Sequence, residues 1–157
     1  MNKHQKLNEE HQAQMAGLSN PDRYTFVDLG LPSGRLWATE NAPGFYTFDE
    51  AVDTFGELLP KGSAMVELIE ESTCTWNNEK KGLDITGPNG NTIFLPADGY
   101  RWGREVKDVK LEGDYWTRMP LSQSFARYLG FRSGGVCPLY YNGRSLGFSV
   151  RPCRELN

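Results

Sequence analysis

The chain has 157 residues, which suits one domain and leaves no room for a second of ordinary size. Its 17 Gly and 9 Pro indicate many turns, and its 8 Phe, 7 Tyr and 4 Trp indicate a core that depends on aromatic rings. The net charge of −3 argues against a nucleic-acid binder, and no apolar run approaches the roughly 20 residues that span a bilayer. We therefore expect neither nucleic acid nor a membrane among its partners.

Residues 1–22 are predicted as a polar N-terminal tail, and residues 23–157 as the folded domain. The tail lacks the apolar stretch of roughly 7–15 residues that a secretory signal peptide needs. Leu7 and Leu18 are too few to close a coiled coil alone, so a helix here would need a partner or a sister chain. We expect residues 1–20 to act as an anchoring or oligomerisation segment.

The next elements are two strands and a helix. YTFVDLGLPSGRLWAT, residues 24–39, alternates and then turns, which predicts two strands joined by a tight loop. TFDEAVDTFGELLP, residues 47–60, predicts a helix, because Thr47 and Glu50 form a capping box and apolar residues recur at helical spacing. On the opposite side of that helix, a row of three acidic residues is interpreted as a solvated face; it comprises Asp49, Asp53 and Glu57.

The rest of the chain is predicted to be mainly strands. A second helix over about 63–73 precedes GLDITGPNGNTIFLPADGY, which predicts a strand, a turn at residues 87–91 and another strand. From residue 113 onward, glycines separate three short predicted strands, in DYWTRM, SFARYLGFR and GRSLGFSVRPC. Two early helices and strands at both ends predict an α+β domain.

Charge is divided unevenly along the chain. Residues 1–112 carry 11 Lys and Arg against 18 Asp and Glu, a net charge of −7, whereas residues 113–157 carry 6 against 2, a net charge of +4. All six cations of the second part are arginines, and eight aromatic residues lie among them between Tyr115 and Phe148. Because binding surfaces are enriched in Arg and aromatic residues, the final part of the chain is our candidate for a ligand surface.

The order of motifs resembles a large paralogous domain family of gut anaerobic bacteria and their phages, similar in fold to C-type lectin-like domains. The resemblance covers residues 24–153, and its most specific pieces are VDLGLPSGRLWAT, NGNTIFLPADGYR and GFSVRP. It implies an irregular antiparallel sheet with the two termini paired at its base, two flanking helices, and long loops that display a ligand surface. Variable receptor-binding proteins diversified by retroelements are similar in fold.

Calcium-dependent sugar lectins of this fold use a Glu-Pro-Asn or Gln-Pro-Asp tripeptide followed by Trp-Asn-Asp. The nearest segments here are Gly87-Pro88-Asn89, which lacks the carboxylate, and Trp76-Asn77-Asn78, which comes before it. A hard cation that takes six to eight oxygen ligands is therefore not specified by this sequence. We expect no metal and no cofactor.

An enzyme is an alternative, because formylglycine-generating enzymes also resemble this scaffold. Those enzymes use two nearby cysteines, whereas Cys137 and Cys153 lie sixteen residues apart and Cys74 is farther away. Both histidines, His4 and His11, fall in the tail, so the folded body has no imidazole for a triad or a base at neutral pH. We therefore expect no catalysis. An oxidising compartment would allow a Cys137–Cys153 disulfide.

In lectin-like binders the ligand surface comes from the later part of the domain, about residues 100–145 here. Aromatic rings there would stack on a sugar or fill a protein pocket, and Arg would pair with a carboxylate or phosphate. Phe125, Phe131 and Phe148 are assigned to the core, and one ring of Tyr115 and Trp116 should also point inward. The predicted ligand-binding residues are Tyr100, Trp102, Trp116, Arg118, Tyr128, Arg132, Tyr140, Tyr141, Asn142 and Arg144.

The resulting interpretation is a non-catalytic display domain that contacts a host-surface glycan or protein. We expect it on a phage virion, as an accessory or fibre protein assembled in the host cytoplasm and attached to other virion proteins through residues 1–20. A homo-oligomer is expected, with a trimer as one arrangement. The alternative is a secreted or surface-attached bacterial adhesin, located outside the cell or on its surface.

Overall fold

A computed structural model describes residues 2, 3, 5, 6 and 17–156 of the chain. In these residues two short helices accompany several small antiparallel sheets, so the fold class is α+β. The predicted anchoring segment, residues 1–20, lies mostly outside the described residues. Within the part of the chain that is described, no helix is long and apolar enough to cross a membrane.

The first sheet joins the two ends of the described body. It consists of β1 (Phe26–Asp28), β2 (Leu36–Ala38) and β11 (Cys153–Arg154), with β2 in the centre. The predicted hairpin is confirmed by the pairing of β1 with β2, and the last strand is antiparallel to β2.

The two helices follow their sequence signals. Helix α1 (Phe48–Phe55) begins with the predicted capping box, in which Thr47 Oγ1 accepts from the Glu50 amide and the Thr47 amide donates to Glu50. Gly56, with a φ of 55°, ends the helix, and a 3₁₀ turn (Gly56–Leu58) follows. Helix α2 (Gly62–Glu70) starts one residue before the predicted range and ends three residues short of it.

A second three-stranded sheet contains β3 (Thr73–Asn77), β4 (Gly82–Thr86) and β5 (Thr92–Pro96). The predicted strand, turn and strand around residues 87–91 are confirmed by the pairing of β4 with β5. The sequence did not predict β3, which pairs with β4 along its whole length.

The middle sheet consists of β8 (Glu112–Pro120), β9 (Phe125–Arg132) and β10 (Gly135–Gly143), and the hairpin of β6 (Tyr100–Trp102) and β7 (Glu105–Lys107) precedes it in the chain. The strand predicted over residues 143–153 is wrong in extent, because Gly143 ends β10, Cys153 begins β11, and the residues between them form only isolated bridges. Strand β10 was missed because flanking glycines and Pro138 indicate a loop; the register shifts between Cys137 and Tyr140, around that proline.

Two hydrophobic clusters form the core. One lies between α2, the second sheet and one face of the middle sheet; the other surrounds α1 and contains Trp116 and Phe148. Phe131 and Phe148 are buried as predicted. Phe125 is 42% exposed, which corrects its assignment to the core, because it occupies the first position of β9 at the end of the sheet.

The packed body extends upstream of the expected boundary at residue 23. Leu18 is 1% exposed and belongs to the cluster around α1. Its carbonyl oxygen accepts a hydrogen bond from the Tyr24 hydroxyl at 2.7 Å. Leu18 is therefore part of the core, although the sequence placed it in the tail.

Candidate functional site

The candidate site lies on one face of the middle sheet. Side chains alternate between the two faces of a strand, so every second residue of β8 shares a face. The pairing places Asp114 opposite Gly130, which lies opposite Cys137, and it places Trp116 opposite Tyr128, which lies opposite Tyr140. The other face carries Tyr115, Leu129 and Phe131, which pack into the core.

Two cavities open on this face and share Glu112 and Asp114 in their linings. The larger, about 600 Å³, lies over β9 and β10, and the smaller, about 340 Å³, lies between the sheet and the β6–β7 hairpin. We call the two together the sheet groove. Its main side chains are Tyr100, Trp102, Glu112, Asp114, Tyr128, Arg132, Tyr140 and Asn142.

A pair of carboxyl groups lies where the cavities meet. Asp114 is 3% exposed, and its Oδ2 atom has no hydrogen-bond partner. Burial, followed by the hydrogen bond and the charge of Glu112, raises the pKa of Asp114 to about 9. At neutral pH the Asp114 carboxyl is therefore protonated.

Arg132 is the cation beside this pair. Its Nη2 atom lies 2.5 Å from Glu112 Oε1 and 3.5 Å from Asp108 Oδ2. Burial also raises the pKa of Glu112, and Arg132 opposes that increase. The guanidinium is therefore directed at Glu112 and Asp108, and the unpartnered oxygen belongs to Asp114.

Aromatic rings form the walls of the sheet groove. The rings of Tyr128 and Tyr140 are nearly parallel, at an angle of 6°, with their centroids 6.1 Å apart. Trp102, on the β6–β7 hairpin, is 63% exposed, and Lys107 Nζ lies 5.2 Å from its ring centroid. An exposed Trp beside a cavity gives a ligand a large apolar contact at a small cost in conformational entropy.

The structure brings six of the ten predicted ligand-binding residues into the sheet groove: Tyr100, Trp102, Tyr128, Arg132, Tyr140 and Asn142. Trp116 is not exposed at all, which corrects its assignment to the ligand surface. Its indole Nε1 donates to the Tyr46 carbonyl oxygen at 2.7 Å, and its ring lies 4.2 Å from that of Phe148. Tyr115 is buried as well, because the middle sheet is covered on both faces at this point.

The other three predicted residues lie apart from the sheet groove. Tyr141 is exposed on the opposite face of β10, where its ring is 5.9 Å from that of Phe125. Arg144 donates to the Ser122 carbonyl at 2.9 Å and to Asp49 Oδ1 at 2.5 Å, which connects the end of β10 to α1. Arg118 lines a separate cavity beside Lys61.

Asp114 and Glu112 were missed by reasoning from the sequence. The signal was their spacing, because two positions apart on a strand places both side chains on the face that carries Trp116. Because residues 113–157 carry a net positive charge, the sequence indicated arginines and not carboxyl groups as ligand-binding residues.

Among the described residues, the sheet groove has neither a disulfide nor a cluster of metal ligands. All three thiols are free, with Cys137 exposed at the sheet groove and Cys153 buried on β11, so the conceivable Cys137–Cys153 disulfide is not formed. Among the described residues, no group of three or more His, Cys, Asp or Glu is placed to hold a metal ion.

Comparisons with known proteins identify no family for the chain. No family model matches it, and no curated protein and no solved structure gives a significant match. The chemistry of the sheet groove therefore carries the functional argument.

Proposed function

We propose that the chain is a non-catalytic binding domain of C-type lectin-like fold, and that the sheet groove binds a glycan of a host surface. One observation carries this proposal: exposed and stacked aromatic rings flank a carboxyl pair and an amide within one open groove. Ring faces stack on the C–H face of a sugar, while carboxyl and amide groups bond to its hydroxyls. A surface protein is the second ligand that this groove would suit.

A pair of carboxyl groups is also the catalytic feature of glycoside hydrolases. Hydrolases of that kind hold their two carboxyl groups on either side of the scissile bond, at least about 5 Å apart. Asp114 and Glu112 instead lie two residues apart on one face of a single strand, where burial and Glu112 raise the pKa of Asp114. The pair is therefore better suited to binding than to acid–base chemistry.

Two neighbouring tyrosines provide a matched test of the sheet groove. Tyr140 is 51% exposed and lines the groove, whereas Tyr141 is 46% exposed on the opposite face. We expect Tyr140→Ala to reduce binding of the labelled protein to an array of microbial surface glycans at least tenfold, and Tyr141→Ala to leave it unchanged. Equal effects of the two variants, or no binding by the wild type, would contradict the proposed function.

For the biological context we propose a phage virion, in which residues 1–20 attach this domain to other virion proteins as part of a homo-oligomer. The proposal is supported by the resemblance of residues 24–153 to domains of gut bacteria and their phages. A secreted or surface-attached adhesin is the alternative. Electron microscopy of phage particles labelled with antibodies against this chain distinguishes the two, because an adhesin would label cells and not particles.

A further inference from the structure

Asp114 has a side-chain oxygen without a hydrogen-bond partner. The side chain is 3% exposed, yet it lines both cavities of the sheet groove. Buried polar atoms nearly always have a hydrogen-bond partner, so an orphan acceptor next to a cavity indicates that a ligand supplies the donor. Asp114 Oδ2 is such an acceptor.

The charges around Asp114 favour a positively charged donor. Three carboxyl groups gather here, on Asp108, Glu112 and Asp114, and Arg132 is the cation bonded to the first two. Arg132 contacts Glu112 and Asp108, so the Asp114 side of the cluster is the side left for another cation.

The walls of the sheet groove favour the same kind of group. Aromatic faces carry negative partial charge and attract cations within about 6 Å. Tyr128 and Tyr140 line the larger cavity together with Asp114, and Tyr100 and Trp102 line the smaller one. An ammonium group at the junction would therefore meet carboxyl oxygens on one side and rings on the others.

We propose that Asp114 and Glu112 form a subsite for a protonated primary amine, and that the glycans bound by the sheet groove carry amino sugars with free amino groups. The inference rests on the proposed function and names the class of sugar. A metal ion is the less suitable occupant, because Arg132 already bonds to Glu112 and the described residues provide no set of metal ligands.

Binding of an ammonium group at this subsite changes the protonation of Asp114. In the free protein Asp114 holds a proton, because burial and Glu112 raise its pKa. When an ammonium group enters, its N–H groups donate to both carboxyls, and the carboxyl proton leaves to the solvent. The titratable and charged groups around the pair are Asp108 and Arg132, and those that line the two cavities with it are Tyr100, Tyr128, Cys137 and Tyr140. One proton is therefore released for each amine bound.

The test compares two sugars that differ at their amino groups, which are free and charged in one and acetylated and neutral in the other. A glucosamine tetramer and its fully N-acetylated form are titrated into the wild-type protein by calorimetry at about pH 6, where primary amines are charged. We expect the glucosamine tetramer to bind at least tenfold more tightly. Repetition in buffers of different ionisation enthalpy should show a proton released. Equal affinity, preference for the acetylated form, or no binding of either would overturn the inference.

Variants distinguish this inference from the proposed function. Asp114→Asn keeps the shape of the side chain and should remove the preference for the glucosamine tetramer, while Asp53→Asn on the exposed side of α1 should keep it. Glu112→Gln is the second variant, since it removes the other carboxyl of the pair. If glycan binding depends on Tyr140 but the two tetramers bind alike, the amine subsite is wrong and the proposed function stands.

Discussion

Arg151 donates a hydrogen bond from its Nε atom to the side-chain oxygen of Asn41 at 2.7 Å, inside the body of the fold. Its two terminal nitrogens donate to the carbonyl oxygens of Ala38 and Phe94 at 3.0 and 2.5 Å. Asn41 in turn donates to the Tyr115 hydroxyl at 2.9 Å. Arg151 is 1% exposed and burial lowers its pKa, so neutral oxygens hold a buried charge where four segments meet.

We predict that Arg151→Lys destabilises the protein strongly. A lysine cannot reach three acceptors in different directions, so buried carbonyl oxygens lose their donors at a cost of about 1–3 kcal/mol each. We expect the free energy of unfolding in urea to fall by about 2–4 kcal/mol. Arg154→Lys is the matched control, because Arg154 is exposed on β11, and it should change stability by less than about 0.5 kcal/mol. Equal losses would contradict a structural role specific to Arg151.

The same contacts explain which features the sequence could predict. The side-chain amides of Asn89 and Asn91 donate to the Asp28 carbonyl at 2.8 and 2.9 Å, and Arg151 reaches Ala38 and Phe94. The three most specific motifs therefore contact one another through hydrogen bonds that maintain the fold. Such motifs predict the α+β architecture, and among the main side chains of the sheet groove they contain only Tyr100.

We predict that Asp114 makes stability depend on pH. Its carboxyl has a pKa near 3.9 in an unfolded chain and about 9 in the folded one, so between these values the folded state binds more protons. Stability therefore falls as the pH rises through this window, by at most about 1.4 kcal/mol per pH unit, and becomes constant above about pH 9.

Asp114→Asn should flatten this dependence and raise the melting temperature at the alkaline end of the window. Melting curves at several values from about pH 5 to pH 8 measure the effect. Asp53→Asn, on the exposed side of α1, is the control and should keep the wild-type slope. Identical slopes for the wild type and Asp114→Asn would show that Asp114 is ionised in the folded protein.

We predict that Trp116→Phe reduces stability without touching the ligand. The variant loses the indole hydrogen bond to the Tyr46 carbonyl, which keeps the Phe148 amide as a donor, and the smaller ring leaves a void in the cluster around α1. We expect a loss of about 1–3 kcal/mol in the free energy of unfolding. Trp102→Phe is the matched control: the ring is 63% exposed, so stability should hardly change while glycan binding weakens. A reversed pattern would place Trp116 at the ligand and Trp102 in a structural role.

Trp116 also shows why the candidate site was only partly predictable. Alternation along a strand indicates that neighbours such as Tyr115 and Trp116 face opposite ways, and one was expected inside. The sequence could not show that α1 and Phe148 cover the second face at this point, since that packing joins residues far apart in the chain. Beyond this cover the same face opens into the sheet groove, which explains the exposure of Tyr140.

We predict that Leu18 stabilises the fold although the sequence placed it in the tail. Leu18 is 1% exposed, so Leu18→Ala leaves a cavity beside α1 and should cost about 2–4 kcal/mol in the free energy of unfolding. Urea unfolding measures the loss. Leu156→Ala provides the control, because Leu156 is 56% exposed near the other end of the chain, and it should have little effect. Similar small losses for both variants would mean that Leu18 is not part of the stable core.

Removal of residues 1–16 tests the proposed anchoring segment without disturbing this core. Leu18 and the hydrogen bond from Tyr24 to its carbonyl remain, so we expect the melting temperature to stay within a few degrees of the wild-type value. If residues 1–20 mediate assembly, sedimentation velocity should show an oligomer for the full chain and a monomer for the shortened one. Sugar binding by the sheet groove should be the same per chain, because the groove lies on β8, β9, β10 and the β6–β7 hairpin. An oligomer with the same number of chains after the removal would assign oligomerisation to the folded body instead.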